Sequence, residues 1–152
     1  MQPGNDNEYI IRQMEKKDIE QVERIEKEIF SIPWSAHSFE DAAMTKENIY
    51  LVCECNGVIA GYCGLWTVLG EGNITNMAVD KEYRKRGIGE ALMKEMEKRG
   101  RQKDVDIFFL EVRQSNAAAR RLYDKMGYKE IGTRKRFYER PVEDAIVMSK
   151  MY

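Results

Sequence analysis

With 152 residues, 43% of them hydrophobic, the chain has enough apolar side chains for one core, so a single domain over residues 1–152 is expected. Lys plus Arg total 25 against 26 for Asp plus Glu, and the net charge of -1 gives no general attraction to nucleic acid or to an anionic membrane. No apolar run approaches the roughly 20 residues that span a bilayer, and the polar opening Met1-Gln-Pro-Gly-Asn-Asp-Asn7 lacks a signal pattern, so a cytoplasmic location with residues 1–7 flexible is expected.

Glu8 to Met14, with Tyr9, Ile10 and Ile11, reads as a first strand. Asp18 then opens a charged helix whose apolar positions Ile19, Val22, Ile25 and Ile29 recur at helical spacing, as in a helix that packs on a sheet. Ser31-Ile-Pro-Trp-Ser35 breaks it, and Ser35 can cap a short helix containing Phe39, Ala42, Ala43 and Met44. Trp34 in that break is either a plug closing the helix junction or the edge of a substrate groove. His37 beside it reads as an exposed helix-start residue.

Ile49 to Cys55 and Val58 to Val68 are strand patterns joined at Asn56-Gly57, a strong hairpin signal. Gly70-Glu-Gly72 leads into a third strand, Asn73 to Val79, which completes an antiparallel meander. Cys53, Cys55 and Cys63 all fall in these strands, which suits reduced core thiols. The single histidine lies in another segment, so Cys53-x-Cys55 lacks the ligands for zinc and no metal is expected.

The meander delivers the chain to Asp80 and to Tyr83-Arg-Lys-Arg-Gly-Ile-Gly-Glu-Ala-Leu-Met93, a basic turn running into a helical pattern with Ile88, Leu92 and Met96 on one face. Free N–H groups at a helix start, the helix dipole and two glycines, Gly87 and Gly89, make a cradle for phosphate or pyrophosphate, with Arg84, Lys85 and Arg86 adding charge. Leu92 stands where a dinucleotide fingerprint has its third glycine, and no Gly-Lys-Ser/Thr follows, so neither nucleotide loop fits. A solvated basic loop before a glycine-started helix is the plainer alternative for this turn alone. The helix is expected from about Gly87 to Arg99, ended by Gly100.

Val105 to Val112 is a near-continuous apolar strand, expected to be buried on both faces and parallel to a neighbour, so residues 73–112 read as strand, helix and strand with a right-handed crossover. Glu111 interrupts it. This carboxylate faces outward, pairs with Arg113 or its neighbours, or lines a cleft as a general base. Ser115-Asn116 starts a helix, Ala117 to Met126, with Gly127 as its C-cap. Asn116 and Tyr123 share one face of it, the first a cap or a ligand contact, the second a core aromatic or a site residue. Strands at Tyr128 to Phe137 and Asp144 to Met151 finish the sheet, and the Arg134-Lys-Arg136 patch suits an acidic surface.

Arg84-x-x-Gly87-x-Gly89 resembles the acyl-CoA pyrophosphate loop of the GNAT superfamily of N-acetyltransferases. A longer string, Leu110-Glu-Val-Arg-Gln-Ser-Asn-Ala-Ala-Ala-Arg-Arg-Leu-Tyr-Asp-Lys-Met-Gly-Tyr128, resembles the bacterial ribosomal-protein-alanine acetyltransferases, as do Pro33-Trp34-Ser35 with Phe39 and Glu143-Asp-Ala-Ile-Val-Met148. The resemblance runs from about Ile29 to Met148. It implies an α/β (α+β) GNAT fold, a mixed central sheet of about six to seven strands flanked by about four helices. It also implies acetyl transfer from acetyl-CoA to the α-amine of an N-terminal alanine, with small-subunit ribosomal protein S18 as the acceptor partner. Acetylation of lysine side chains or a small amine, or acyl-CoA binding without turnover, are the rival readings.

By the same resemblance Glu111 is the general base and Tyr123 the general acid. Met77, Ala78 and Val79 form the CoA-contacting strand, and Lys85, Arg86, Gly87, Ile88, Gly89 and Glu90 form the pyrophosphate loop. Asn116 contacts the pantetheine arm, while Trp34 and Tyr138 border the acceptor site. Phe137-Tyr138 departs from the Tyr-Tyr pair often found there and has no proline directly after it, which bears on acceptor preference. A covalent cysteine route has no nearby histidine to activate it.

Overall fold

The computed structural model describes residues 8–152; residues 1–7, expected to be flexible, lie outside them. In chain order the elements are β1 (Ile10–Gln13), a 3-10 turn (Lys16–Asp18), α1 (Ile19–Ile29), α2 (Ala36–Met44), β2 (Ile49–Cys55), β3 (Val58–Val68), β4 (Glu71–Val79) and a second 3-10 turn (Lys81–Tyr83). There follow α3 (Ile88–Gln102), β5 (Ile107–Arg113), α4 (Ala117–Lys125), β6 (Lys129–Tyr138) and β7 (Glu143–Met151). The strands form one mixed seven-stranded sheet in the order β1-β2-β3-β4-β5-β7-β6, the architecture that the resemblance implies. No helix among the described residues is long and apolar enough to cross a membrane.

Local chemistry explains most boundaries. Asn56 and Gly57 both have positive φ (50° and 82°), the geometry of the tight turn that joins β2 to β3. Ser35 caps α2, its side chain accepting from the Ser38 N–H at 3.1 Å. After α4, Gly127 (φ 97°) reverses the chain, with Gly127 N bonded to Asp124 O and Tyr128 N to Tyr123 O, the two bonds of a Schellman cap.

Helices pack on both faces. Val22 and Ile25 of α1 and Phe39 of α2 bury against Tyr50, Val52 and Tyr62. On the other face Leu92, Met93 and Met96 of α3, with Tyr123 of α4, bury against Leu51, Cys63, Leu65, Phe108 and Leu110. Leu92 is fully buried, so its truncation to alanine would cost about 2–5 kcal/mol. The three cysteines are free and buried, and burial pushes the Cys53 thiol up to about 12.

Two expectations fail. First, α3 runs through Gly100 to Gln102. A Cβ on Gly100 would lie 2.9 Å from the Phe108 ring, so this glycine serves the close approach of helix to strand and does not end the helix. Second, β5 is not buried on both faces: Phe108, Leu110 and Val112 are buried, but Ile107, Phe109, Glu111 and Arg113 are half-buried. The layer under α1 and α2 draws its strand residues from β2, β3 and β4 and leaves that side of β5 open.

Candidate functional site

The site begins where two strands part. β4 and β5 pair in parallel only from Glu71↔Ile107 to Asn73↔Phe109, and beyond that β4 has no strand partner on this side among the described residues. A wedge opens between them. On its other side, β4 steps from Ile74 opposite Leu65 to Asn76 opposite Gly64, so Thr75 is an extra residue, a bulge that bends and twists the strand. Asp80 N donates to Ala60 O at 2.8 Å, and strand alternation therefore turns the main-chain groups of Met77 and Val79 away from β3, towards the wedge. Ala78 faces the other way, pairing with Tyr62 and burying its methyl.

At the mouth of the wedge lies the basic turn. Lys85 (φ 65°) and Gly87 (φ 78°) adopt left-handed geometry; at Gly87 a Cβ would meet nothing within 4 Å, so backbone conformation, not space, calls for glycine. The first helical bond runs from Ala91 N to Gly87 O at 3.0 Å, which leaves the N–H groups of Ile88, Gly89 and Glu90 pointing out of the α3 start. A Cβ on Gly89 would lie 3.3 Å from Met77 and 3.4 Å from Leu122, so α3, β4 and α4 meet there.

The cations around this turn are held in different ways. Arg84 donates to Val79 O at 3.2 Å, and Arg86 lies 5.1 Å from the Tyr83 ring centre. Lys85 is exposed. Glu90 binds Lys125 at 2.8 Å and Lys94 at 3.0 Å, and those cations hold its carboxyl below the usual range. Outward N–H groups, a helix dipole and basic side chains fit a pyrophosphate, and the open edge of β4 fits an amide-bearing arm such as pantetheine.

Glu111 stands on the open face of β5. Its partner is Arg134, with Nε 3.1 Å from Oε2, and not Arg113. Arg113 turns instead to Glu143 at 3.2 Å and to the carbonyls of Glu139 and Pro141, and lies 4.5 Å from the Tyr138 ring centre. Arg134 reaches Glu111 because β7 lies between β5 and β6, placing the two residues on one face across it. Burial, then the charge of Glu111, pushes the Tyr138 phenol up to about 12.

Tyr123 is buried in the α3–α4 layer, and burial, with Tyr138 next, pushes its phenol well above the ordinary value, keeping it protonated at neutral pH. Among the described residues no hydrogen bond engages its hydroxyl. Asn116 caps α4, accepting from Ala119 N at 3.1 Å. Tyr138 thus lies within electrostatic reach of both Glu111 and Tyr123, and the basic turn follows directly on the open edge of β4.

The Trp34 loop makes a second wall. The Trp34 ring lies 5.2 Å from Phe39, 6.3 Å from Tyr50 and 6.2 Å from Trp66. Trp66 Nε1 donates to the Tyr50 hydroxyl at 2.9 Å, which meets Thr75 Oγ1 at 2.8 Å. Trp66, Asn73 and Phe109 pair in one row, which sets this wall on the Glu111 face of the sheet. Trp34 packs on Phe39, as a plug would, and stays half-exposed. His37 is exposed and pairs with Asp41 at 3.2 Å.

Sequence reading missed Glu26, Tyr50, Trp66 and Thr75. One signal was available: Glu26 interrupts the apolar stripe of α1 between Val22 and Ile29, and it is 3% exposed.

Comparison with known proteins gives one family. The profile of the Acetyltransferase (GNAT) family matches residues 19–128. A Bacillus subtilis (strain 168) protein, provisionally named a ribosomal protein bS18-alanine N-acetyltransferase, is 40% identical over 139 residues, 91% of this chain and 92% of that protein. The ribosomal protein bS18-alanine N-acetyltransferase of Escherichia coli (strain K12) is 36% identical over 147 residues, covering 91% and 95%. The crystal structure of the ribosomal-protein-S18-alanine N-acetyltransferase from Escherichia coli superposes with a TM-score of 0.87 at 31% identity, over 95% of this chain and 94% of that one.

Proposed function

Because the chain belongs to the acetyltransferase (GNAT) family, whose members are acetyl-CoA-dependent N-acetyltransferases, we propose that it acetylates the α-amine of an N-terminal alanine, with ribosomal protein S18 as its acceptor. The observation that carries this reading is the wedge between β4 and β5, with a pyrophosphate cradle at its mouth and Glu111 and Tyr123 at its side. In this reading the chain is one catalytic domain acting in the cytoplasm.

Acetyl-CoA lies with its pyrophosphate on the N–H groups of residues 88–90 and its pantetheine arm along Met77 and Val79. Lys85 and Arg86 neutralise charge, and Asn116 contacts the arm from α4. Fixing thioester and amine in one groove supplies orientation. An α-ammonium has a pKa of about 8, below the roughly 10.4 of a lysine ammonium, so Glu111, directly or through water, takes a proton from the more acidic of the two amine types. The amine nitrogen attacks the thioester carbon and the C–N bond forms; the adduct nitrogen loses its excess proton to water, from which Tyr123 is afterwards reprotonated, and the C–S bond breaks. The inward N–H of Val79 suits polarising the thioester carbonyl, and Tyr123, kept protonated by burial, gives its proton to the leaving thiolate. Trp34 and Tyr138 flank the incoming peptide.

Thiol release from acetyl-CoA tests the reading, using the S18 N-terminal peptide, an N-blocked control and Glu111→Gln. Turnover of the free peptide alone, slowed at least about 100-fold in Glu111→Gln, is the expected result. Equal turnover of free polyamines or of lysine in the blocked peptide would move the acceptor to a side-chain or small amine.

A further inference from the structure

Glu26 is a buried carboxylate that the transfer chemistry does not use. It sits 3% exposed on the inner side of α1, and among the described residues no cation forms an ion pair with it. Burial raises its pKa even though two hydrogen bonds favour the charged form. A carboxylate in such a place is costly unless both oxygens are satisfied. Both are: Oε2 accepts from the Trp34 N–H at 3.0 Å and Oε1 from the Tyr62 hydroxyl at 2.6 Å.

The second end of the loop is held in the same manner. Glu23, one helical turn earlier on the same side of α1, accepts from the Ala36 N–H at 2.8 Å. Pro33 has no N–H, so Trp34 supplies the first donor after the turn. Two carboxylates of α1 therefore grip residues 34–36 by the main chain, whatever the Trp34 side chain does. Contacts pass on from the indole to Trp66, from Trp66 to Tyr50, and from Tyr50 to Thr75 in the β4 bulge.

We propose that Glu26 is a positioning residue for the acceptor peptide: by fixing the Trp34 main chain it sets the gap between the Trp34–Trp66 wall and the β4 bulge. The proposal rests on reading this wall as the acceptor border. In that reading acetyl-CoA is held by the α3 start and by Met77 and Val79, none of which Glu26 hydrogen-bonds. Its loss should therefore act on one substrate only.

The chain has two tryptophans, both in this wall, so their emission reports on it directly. Glu26→Ala, Glu26→Gln and Tyr62→Phe are compared with the native protein for kcat, for both KM values and for tryptophan emission. Glu26→Ala is expected to raise the acceptor KM about tenfold, with acetyl-CoA KM and kcat within about twofold and emission shifted to the red. In Glu26→Gln the amide oxygen can accept from Trp34 and the amide nitrogen can face Tyr62, so the acceptor KM should return to within about threefold of native.

An unchanged acceptor KM, or both KM values rising alike, overturns the proposal. If Glu26→Ala does not fold, Tyr62→Phe carries the test, since it removes one of the two donors. An acceptor-specific rise of about threefold is then expected, and none overturns it. Should the native protein turn over no peptide, it is the acceptor reading that fails. The emission of Tyr62→Phe and Glu26→Gln then still decides the positioning claim, and a Tyr62→Phe spectrum identical to native overturns it.

Discussion

Replacing Gly64 with alanine would place a methyl carbon 2.3 Å from Cε2 and 2.5 Å from Cζ of Tyr50. Carbon atoms rest about 3.5 Å apart, so the ring would have to retreat by about 1 Å. Retreat is obstructed. The Tyr50 hydroxyl is fixed by Trp66 Nε1 at 2.9 Å and Thr75 Oγ1 at 2.8 Å, and a shift of that size breaks or strains both bonds. Overpacking costs about 1–3 kcal/mol, and two hydrogen bonds contribute about 0.5–1.5 kcal/mol each. The entropy lost by a strand glycine on folding returns about 0.5–1 kcal/mol. A net loss of about 1–5 kcal/mol is expected. Urea denaturation followed by tryptophan emission measures it, and the native baseline should shift as well because Trp66 loses its partner. A loss under about 0.5 kcal/mol, with an unshifted baseline, would refute the view that Gly64 exists to seat Tyr50.

Three further outcomes are expected. Tyr123→Phe should lower kcat about 10²- to 10⁴-fold with Tm nearly unchanged, since no hydrogen bond among the described residues engages its hydroxyl; near-native kcat removes it as the proton donor. Gly87→Ala forces a side chain into φ 78° at roughly 1–2 kcal/mol and should raise the acetyl-CoA KM but not the acceptor KM. An unaltered acetyl-CoA KM would detach the turn from cofactor binding. Asp18, 2% exposed, takes both Arg12 Nη atoms at 2.8 Å. Burial alone would raise its carboxyl, but Arg12 and the Glu15 N–H hold it below the ordinary value. With the folded value below the unfolded one, this stability is present above about pH 4 and is lost as pH falls through the folded value. Arg12→Leu should therefore cost about 2–4 kcal/mol at pH 7 and much less at pH 3, by urea denaturation. Equal costs at both would be the contrary result.

What could be read from sequence was what short-range chemistry decides. Asn56-Gly57, Ser35, Gly87 and Gly127 each impose a local geometry that no distant contact overrides, and the hairpin turn, the caps and the glycine-led start of α3 fell where expected. Gly100 misled because the same residue type answers two demands. A glycine after a basic last turn reads as a stop, but here its missing side chain admits the Phe108 ring. The partner of Glu111 was out of reach for another reason. Neighbours along the chain offered Arg113, whereas the order β5-β7-β6 brings in Arg134 from two strands away, and only pairing across the sheet decides that.

The same order explains why the wedge exists at all. β5 is paired with β7 in unbroken register from Ile107↔Met151 to Arg113↔Ala145, which holds β5 straight. Its ladder with β4 spans only three pairs, and just beyond them Thr75 adds a residue to β4 and turns the strand aside. Divergence follows from one rigid neighbour and one bulged one. Thr75 is then more than a gap in register, because its hydroxyl meets Tyr50, whose ring lies on Gly64 and whose hydroxyl accepts from Trp66. In the proposed reading, the residue that opens the acetyl-CoA edge is thus hydrogen-bonded into the wall that borders the acceptor. A change at Gly64, two strands from Glu111, should consequently disturb both substrates, whereas a change at Glu26 should disturb the acceptor alone.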